Sequence, residues 1–88
     1  MFVILAYDIN VKRVNLINNI CSKYLIWRQN SVFTGRISLK QLKNLEEELK
    51  NSIKVLEDYI SIFVFPSNVR FKVIEIGIKR YDEAQIIW

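Results

Sequence analysis

The sequence contains no histidine. That removes histidine general acid–base pairs, Ser-His-Asp triads and His/Cys zinc sites from the available chemistry. Any hydrolysis must rely on carboxylates with a hard cation such as magnesium, or on Lys, Arg and Tyr. A single cysteine, Cys21, rules out an internal disulfide. It falls in a helical pattern and reads as a small core residue in a reducing compartment. No apolar run approaches the ~20 residues that a membrane-spanning helix needs. The first residues lack a basic region and a small-residue cleavage site, and Asp8 interrupts them early, so no signal peptide is expected and the expected location is the cytoplasm. No internal repeat, low-complexity tract or domain linker is visible.

What is present is a short, apolar, basic chain. Its 88 residues suit one domain (1–88) with one modest core. Hydrophobic residues make up 51%, more than a lone small domain can hide, so a second subunit is expected to cover part of the surface. The formal charge is +4, from 13 basic and 9 acidic residues. A two-fold dimer doubles it, which points mildly to a polyanion such as nucleic acid, although ordinary solubility charge explains it equally well.

The chain is organised around an apolar run at residues 2–7, which reads as a central strand buried on both faces, and around the carboxylate that ends it, Asp8. A charge directly after such a run is costly without a partner or a task. Asp8 has three roles open to it: capping the next helix, pairing with a cation, or binding a metal. A helix is expected over about residues 11–25, with Val14, Ile17, Cys21 and Tyr24 towards the core. Lys12 and Arg13 sit in its first turn, the wrong end of a helix dipole for cations. They are either a tolerated surface pair or contacts to phosphate close to Asp8. Residues 26–35 read as a strand with a polar centre from Arg28 to Ser31, folded into a ribbon around Gly35. Ser38 and Gln41 fit a capping box, followed by a helix whose apolar face carries Leu42, Leu45, Leu49, Ile53 and Leu56. Glu46 and Lys50 have the favourable i,i+4 order. Residues 59–65 form a central strand, Pro66-Ser67-Asn68 a turn, and residues 71–76 a further strand stopped by Gly77. Glu75 reads as a cross-strand partner of Lys72 or another base. The tail, about 78–88, ends in an apolar stretch from Ala84 to Trp88 that should be tied down, for instance on the sheet edge of a partner subunit.

The element order is that of a split βαβ unit: an α+β, ferredoxin-like β-α-β-β-α-β sandwich with an extra C-terminal strand. Two helices cover one face of the sheet, and dimerisation is expected to bury the other. Strand alternation puts Asp8 on the same face as Ala6 and Ile4. If that face is the open one, a two-fold axis could bring two copies of Asp8 together, and they would repel unless a cation lay between them.

Tyr7-Asp8-Ile9 at the end of the first strand, Gln29-Asn30-Ser31-Val32-Phe33-Thr34-Gly35 after the first helix, and Gly77 near the end resemble the CRISPR-associated Cas2 family, the small non-integrase proteins of spacer acquisition. The resemblance in element order and length covers nearly the whole chain. It implies a homodimer with facing sheets, a pair of Asp8 residues at the dimer axis able to hold Mg2+ or Mn2+, and C-terminal strands that cross to the partner. It implies a metal-dependent endoribonuclease or DNase centred on Asp8, or an architectural adaptor that bridges the CRISPR integrase subunit and duplex DNA. Arg13 falls where the family often has a basic residue, and Ser31 and Phe33 match its second-strand Ser and Phe. With Lys12 and Arg28 they form the expected nucleic-acid contacts. One departure concerns Arg28: some relatives carry arginine two residues before the Gln, where this chain has Trp27. A one-residue shift in a strand reverses the face.

Overall fold

The computed structural model describes residues 1–66 and 72–78. Among them, β1 (Phe2–Asp8) leads through a 3-10 turn (Val11–Arg13) into α1 (Val14–Ser22), then β2 (Ile26–Gln29), β3 (Val32–Arg36), α2 (Leu39–Ser52), β4 (Tyr59–Phe65) and β5 (Lys72–Gly77). The strands form one antiparallel sheet in the order β2-β3-β1-β4-β5. β1 and β2, joined through α1, run parallel with β3 between them, which is the split βαβ arrangement. The α+β fold class expected from the sequence is the one observed, with the ribbon of residues 26–35 resolved into two strands and the strand expected at 71–76 forming the edge strand β5. The stretch from Ala84 to Trp88 lies outside the described residues, as do Ser67 and Asn68.

Register divides the sheet into two faces. Val3 and Leu5 of β1 lie opposite Gly35 and Phe33 on one side and Val64 and Ile62 on the other. These residues point to the helices, and Val3, Leu5, Phe33, Ile60 and Ile62 are buried to within about 1% with Ile17, Cys21, Leu45 and Leu49. The opposite face carries Phe2, Ile4, Ala6 and Asp8, flanked by Val32, Thr34 and Arg36 and by Tyr59, Ser61, Phe63 and Phe65. No described helix covers it, and Phe65 and Val73 stand 39% and 41% exposed there.

Local rules explain most boundaries. Ser38 accepts from the Gln41 N–H at 3.1 Å while the Gln41 side chain accepts from the Ser38 N–H at 2.9 Å, so the expected capping box starts α2. Glu46 and Lys50 pair at 2.9 Å. α2 ends earlier than its apolar spacing suggests. Ile53 is already extended and Leu56 is 79% exposed, because the Lys54 N–H is bonded to the Asp58 carboxylate rather than to the helix. The ribbon after α1 turns at Asn30-Ser31, not at Gly35. Asn30 takes a positive φ of 43°, a conformation that Asn tolerates better than most residues. Gly35 instead lies inside β3, where a Cβ would come 3.0 Å from the Leu25 side chain. Gly77 has φ +97°, and a Cβ there would sit 1.8 Å from the Asp58 carbonyl oxygen, so only glycine fits.

Candidate active site

Asp8 is the last residue of β1, directly opposite Tyr59 of β4, on the uncovered face and partly exposed. Among the described residues its carboxylate takes part in no hydrogen bond or ion pair. The capping role is taken by another residue, and no described cation pairs with Asp8. Asn10 caps the 3-10 turn, accepting from the Lys12 N–H at 3.0 Å. Arg13, a cation of the same turn, is bound to a different carboxylate partner.

That partner is Asp58, the residue preceding β4, which is fully buried. Its Oδ1 accepts from the Asn10 N–H at 2.8 Å and from the Arg13 Nη2 at 3.0 Å. Its Oδ2 accepts from Arg13 Nε at 2.6 Å and from the Lys54 N–H at 2.9 Å. Glu57 completes the cluster, accepting from Arg13 Nη2 at 2.9 Å and from Asn10 Nδ2 at 3.2 Å. Burial by itself raises the pKa of Asp58, but the hydrogen bonds from Arg13 and from the Asn10 and Lys54 N–H groups outweigh it and hold the group at about 2. Arg13 also draws Glu57 below its ordinary value, and the two carboxylates push the guanidinium pKa further up. Arg13 was expected to meet phosphate. Its side chain is 12% exposed and its fork is occupied by two carboxylates.

The other candidates are placed as follows. Phe33 is 1% exposed and packs on the helix side beside Tyr7, with ring centroids 6.4 Å apart. It is a core residue and offers no surface to nucleic acid, because pairing with Leu5 turns it inward. Ser31 is partly exposed near the end of β1, its carbonyl accepting from the Tyr7 N–H at 3.2 Å. Lys12 is exposed. Arg28 occupies a β-bulge: Trp27 lies opposite Phe33 and Gln29 opposite Val32, so Arg28 is the extra residue. Its Nε donates to Thr34 Oγ1 at 2.7 Å, which lays it over the uncovered face. Glu75 accepts from the Tyr59 hydroxyl across the β4–β5 pair, a cross-strand contact.

Sequence reasoning overlooked Asp58. The signal was present, since Asp58 abuts an apolar strand much as Asp8 does, but its pairing with Arg13 spans 45 positions and no local spacing encodes it. Among the described residues, no three His, Cys, Asp or Glu side chains gather into a metal-holding group. No described helix is long and apolar enough to cross a membrane.

Comparison with known proteins agrees with this architecture. The family model described as CRISPR associated protein Cas2 matches residues 1–73. A CRISPR-associated endoribonuclease Cas2 of Archaeoglobus fulgidus is 39% identical over 80 residues, covering 91% of this chain and 87% of the relative. A CRISPR-associated endoribonuclease Cas2 of Thermotoga maritima is 36% identical over 86 residues, covering 98% and 99%. A solved structure described as a crystal structure of cas2 superposes with a TM-score of 0.72 at 43% identity, covering 91% of this chain and 90% of that one. A Streptococcus pyogenes Cas2 crystal structure gives a TM-score of 0.69 at 26% identity, covering 77% and 89%.

Proposed function

The chain belongs to the Cas2 family of CRISPR-associated proteins, and from that premise we propose that it is a homodimeric, divalent-metal-dependent endonuclease that cleaves phosphodiester bonds, with RNA as its first substrate. The names of the relatives support nuclease activity. The observation that carries the reading to a residue is Asp8: a carboxylate at the end of a central strand, on the uncovered face, with neither oxygen engaged by a described residue.

Asp8 suits Mg2+ or Mn2+, because both favour oxygen donors and tolerate a site completed by water and substrate. One chain provides one such carboxylate and no acidic cluster among the described residues, so the site needs the Asp8 of a second copy. The uncovered face supports that pairing. Phe2, Ile4, Ala6, Phe63, Phe65 and Val73 leave an apolar surface that a second sheet would bury. When bound, the cation supplies Lewis acidity towards a phosphoryl oxygen and lowers the pKa of a water ligand. The protein's own part is to hold the two carboxylates in place and to bind the flanking phosphates. Arg28 on the uncovered face and the exposed Lys12 are assigned to phosphate, with Ser31 beside them as a hydrogen-bonding group. Arg13 contributes through the turn it anchors, and Phe33 through the core. Membership of the Cas2 family is what supports the further assignment of the protein to spacer acquisition beside the CRISPR integrase subunit.

A single carboxylate per copy also favours a second reading, a non-catalytic adaptor whose basic dimer grips duplex DNA through phosphate contacts. One assay separates the two. Purified protein is incubated with single-stranded RNA and with duplex DNA in Mg2+ or Mn2+, beside Asp8→Asn at matched oligomeric state. Cleavage lost only in the variant supports the nuclease. Equal cleavage by both proteins overturns the role of Asp8, and salt-sensitive DNA binding without cleavage by either supports the adaptor.

A further inference from the structure

Asp58 accepts four hydrogen bonds, yet it touches neither the uncovered face nor the proposed phosphate contacts. Three segments meet around it. Its carboxylate binds the turn after β1 through the Asn10 N–H and Arg13, and it binds the start of the α2–β4 connection through the Lys54 N–H. Its main-chain carbonyl accepts from the Ile78 N–H at 2.8 Å, at the close of β5, where Gly77 passes too near for any side chain.

Asp8 stands at the focus of this arrangement. It pairs across the sheet with Tyr59, the residue after Asp58, while Asn10, two residues beyond Asp8, is bonded to Asp58 itself. Ile9 between them is buried in the core. The backbone from Asp8 to Asn10 is therefore fixed from the sheet side by the ladder, from the core side by Ile9, and at its exit by Asp58. Asp58 also occupies the fork of Arg13, the cation of the following turn, so Arg13 does not pair with the Asp8 carboxylate, which no described residue engages. Carboxylates that hold a cation must be aimed; groups hydrogen-bonded to a metal ligand commonly change affinity by about 10–100-fold, and Asp58 acts one step further out, through the backbone at Asn10.

We propose that Asp58 is a positioning residue for the cation site at Asp8: by holding Asn10 and Arg13 it fixes the direction of the strand end and keeps Arg13 from competing for the carboxylate. The proposal rests on the metal-dependent reading above. It makes Asp58 a determinant of metal affinity rather than of folding alone.

The test is a titration of Mn2+ alone into the full chain, followed by the electron paramagnetic resonance signal of free Mn2+. Wild type is compared with Asp8→Asn, Asp58→Asn and Glu46→Gln, a charge-matched change in a surface pair of α2, each checked for native circular dichroism and unchanged oligomeric state. Asp8→Asn should abolish the binding, Asp58→Asn should raise Kd by about 10-fold or more, and Glu46→Gln should leave it unchanged. A folded Asp58→Asn protein with wild-type Kd overturns the positioning role; a purely structural residue would lower the unfolding midpoint without moving the Kd of the folded protein. Mn2+ binding that survives Asp8→Asn overturns the metal reading and this proposal with it. Binding lost in Asp8→Asn but intact in Asp58→Asn leaves the metal reading standing and removes only the positioning. Should Asp58→Asn fail to fold, Arg13→Lys carries the same test: it keeps the cation but loses the fork, so a smaller rise in Kd is expected and an unchanged Kd overturns the proposal.

Discussion

Two aspartates at strand ends behave in opposite ways because of what surrounds them. Asp58 is fully buried and bonded to four donors, whereas Asp8 is partly exposed and bonded to none of the described residues. Asp58→Ala should destabilise the fold by about 3 kcal/mol, because it leaves the largely buried Arg13 guanidinium and the Asn10 and Lys54 N–H groups without their acceptor. Asp8→Asn should change stability by no more than about 0.5 kcal/mol. Urea unfolding of the two variants checks both. The low pKa of Asp58 adds a pH signature. Its folded value of about 2 lies below the ordinary 3.8, so the unfolded chain binds the proton first as pH falls. The stabilisation is complete above the unfolded value and is lost as pH drops through that window towards about 2. Glu57 is shifted the same way by Arg13. Urea midpoints measured from pH 5 to pH 2.5 should fall steeply in wild type and less steeply in Asp58→Asn.

At the scale of elements, legibility followed locality. The capping box of α2 and the Glu46–Lys50 pair involve residues three and four apart, and both were readable from spacing alone. Ser38→Ala should cost about 1 kcal/mol in thermal or urea unfolding, since it removes one orphan N–H acceptor at the helix start. The end of α2 was not readable. Leu56 continues the apolar spacing, but Asp58 takes the Lys54 N–H and halts the helix. The β2–β3 turn was placed at Gly35 because glycine is the stronger turn signal in general. Here Asn30 supplies the positive φ, and Gly35 serves the close approach of Leu25. Phe33 shows the same limit: its place in the motif was legible, but its facing depends on register with Leu5 across the sheet, and register is a property of two strands. The Arg28 bulge likewise appears only when β2 is laid against β3.

For the whole molecule, the fold class and the uncovered apolar face followed from element order and from an apolar content too high for one small domain. The Asp58–Arg13 junction did not, because it joins residues far apart in sequence whose meeting depends on the assembled sheet. The proposed dimer is tested on the uncovered face itself. Phe63 lies there opposite Ile4 and Val73, and Phe63→Asp should leave circular dichroism native while shifting the oligomeric state towards monomer in sedimentation. The same variant should lose Asp8-dependent cleavage, since one copy supplies one carboxylate.

The central claim is that two Asp8 carboxylates share one divalent cation. Equilibrium dialysis of wild type and Asp8→Asn against Mn2+ measures this directly as bound metal per chain. The account predicts half an equivalent per chain in wild type and none above background in Asp8→Asn. A full equivalent per chain, or binding unaffected by Asp8→Asn, would contradict it.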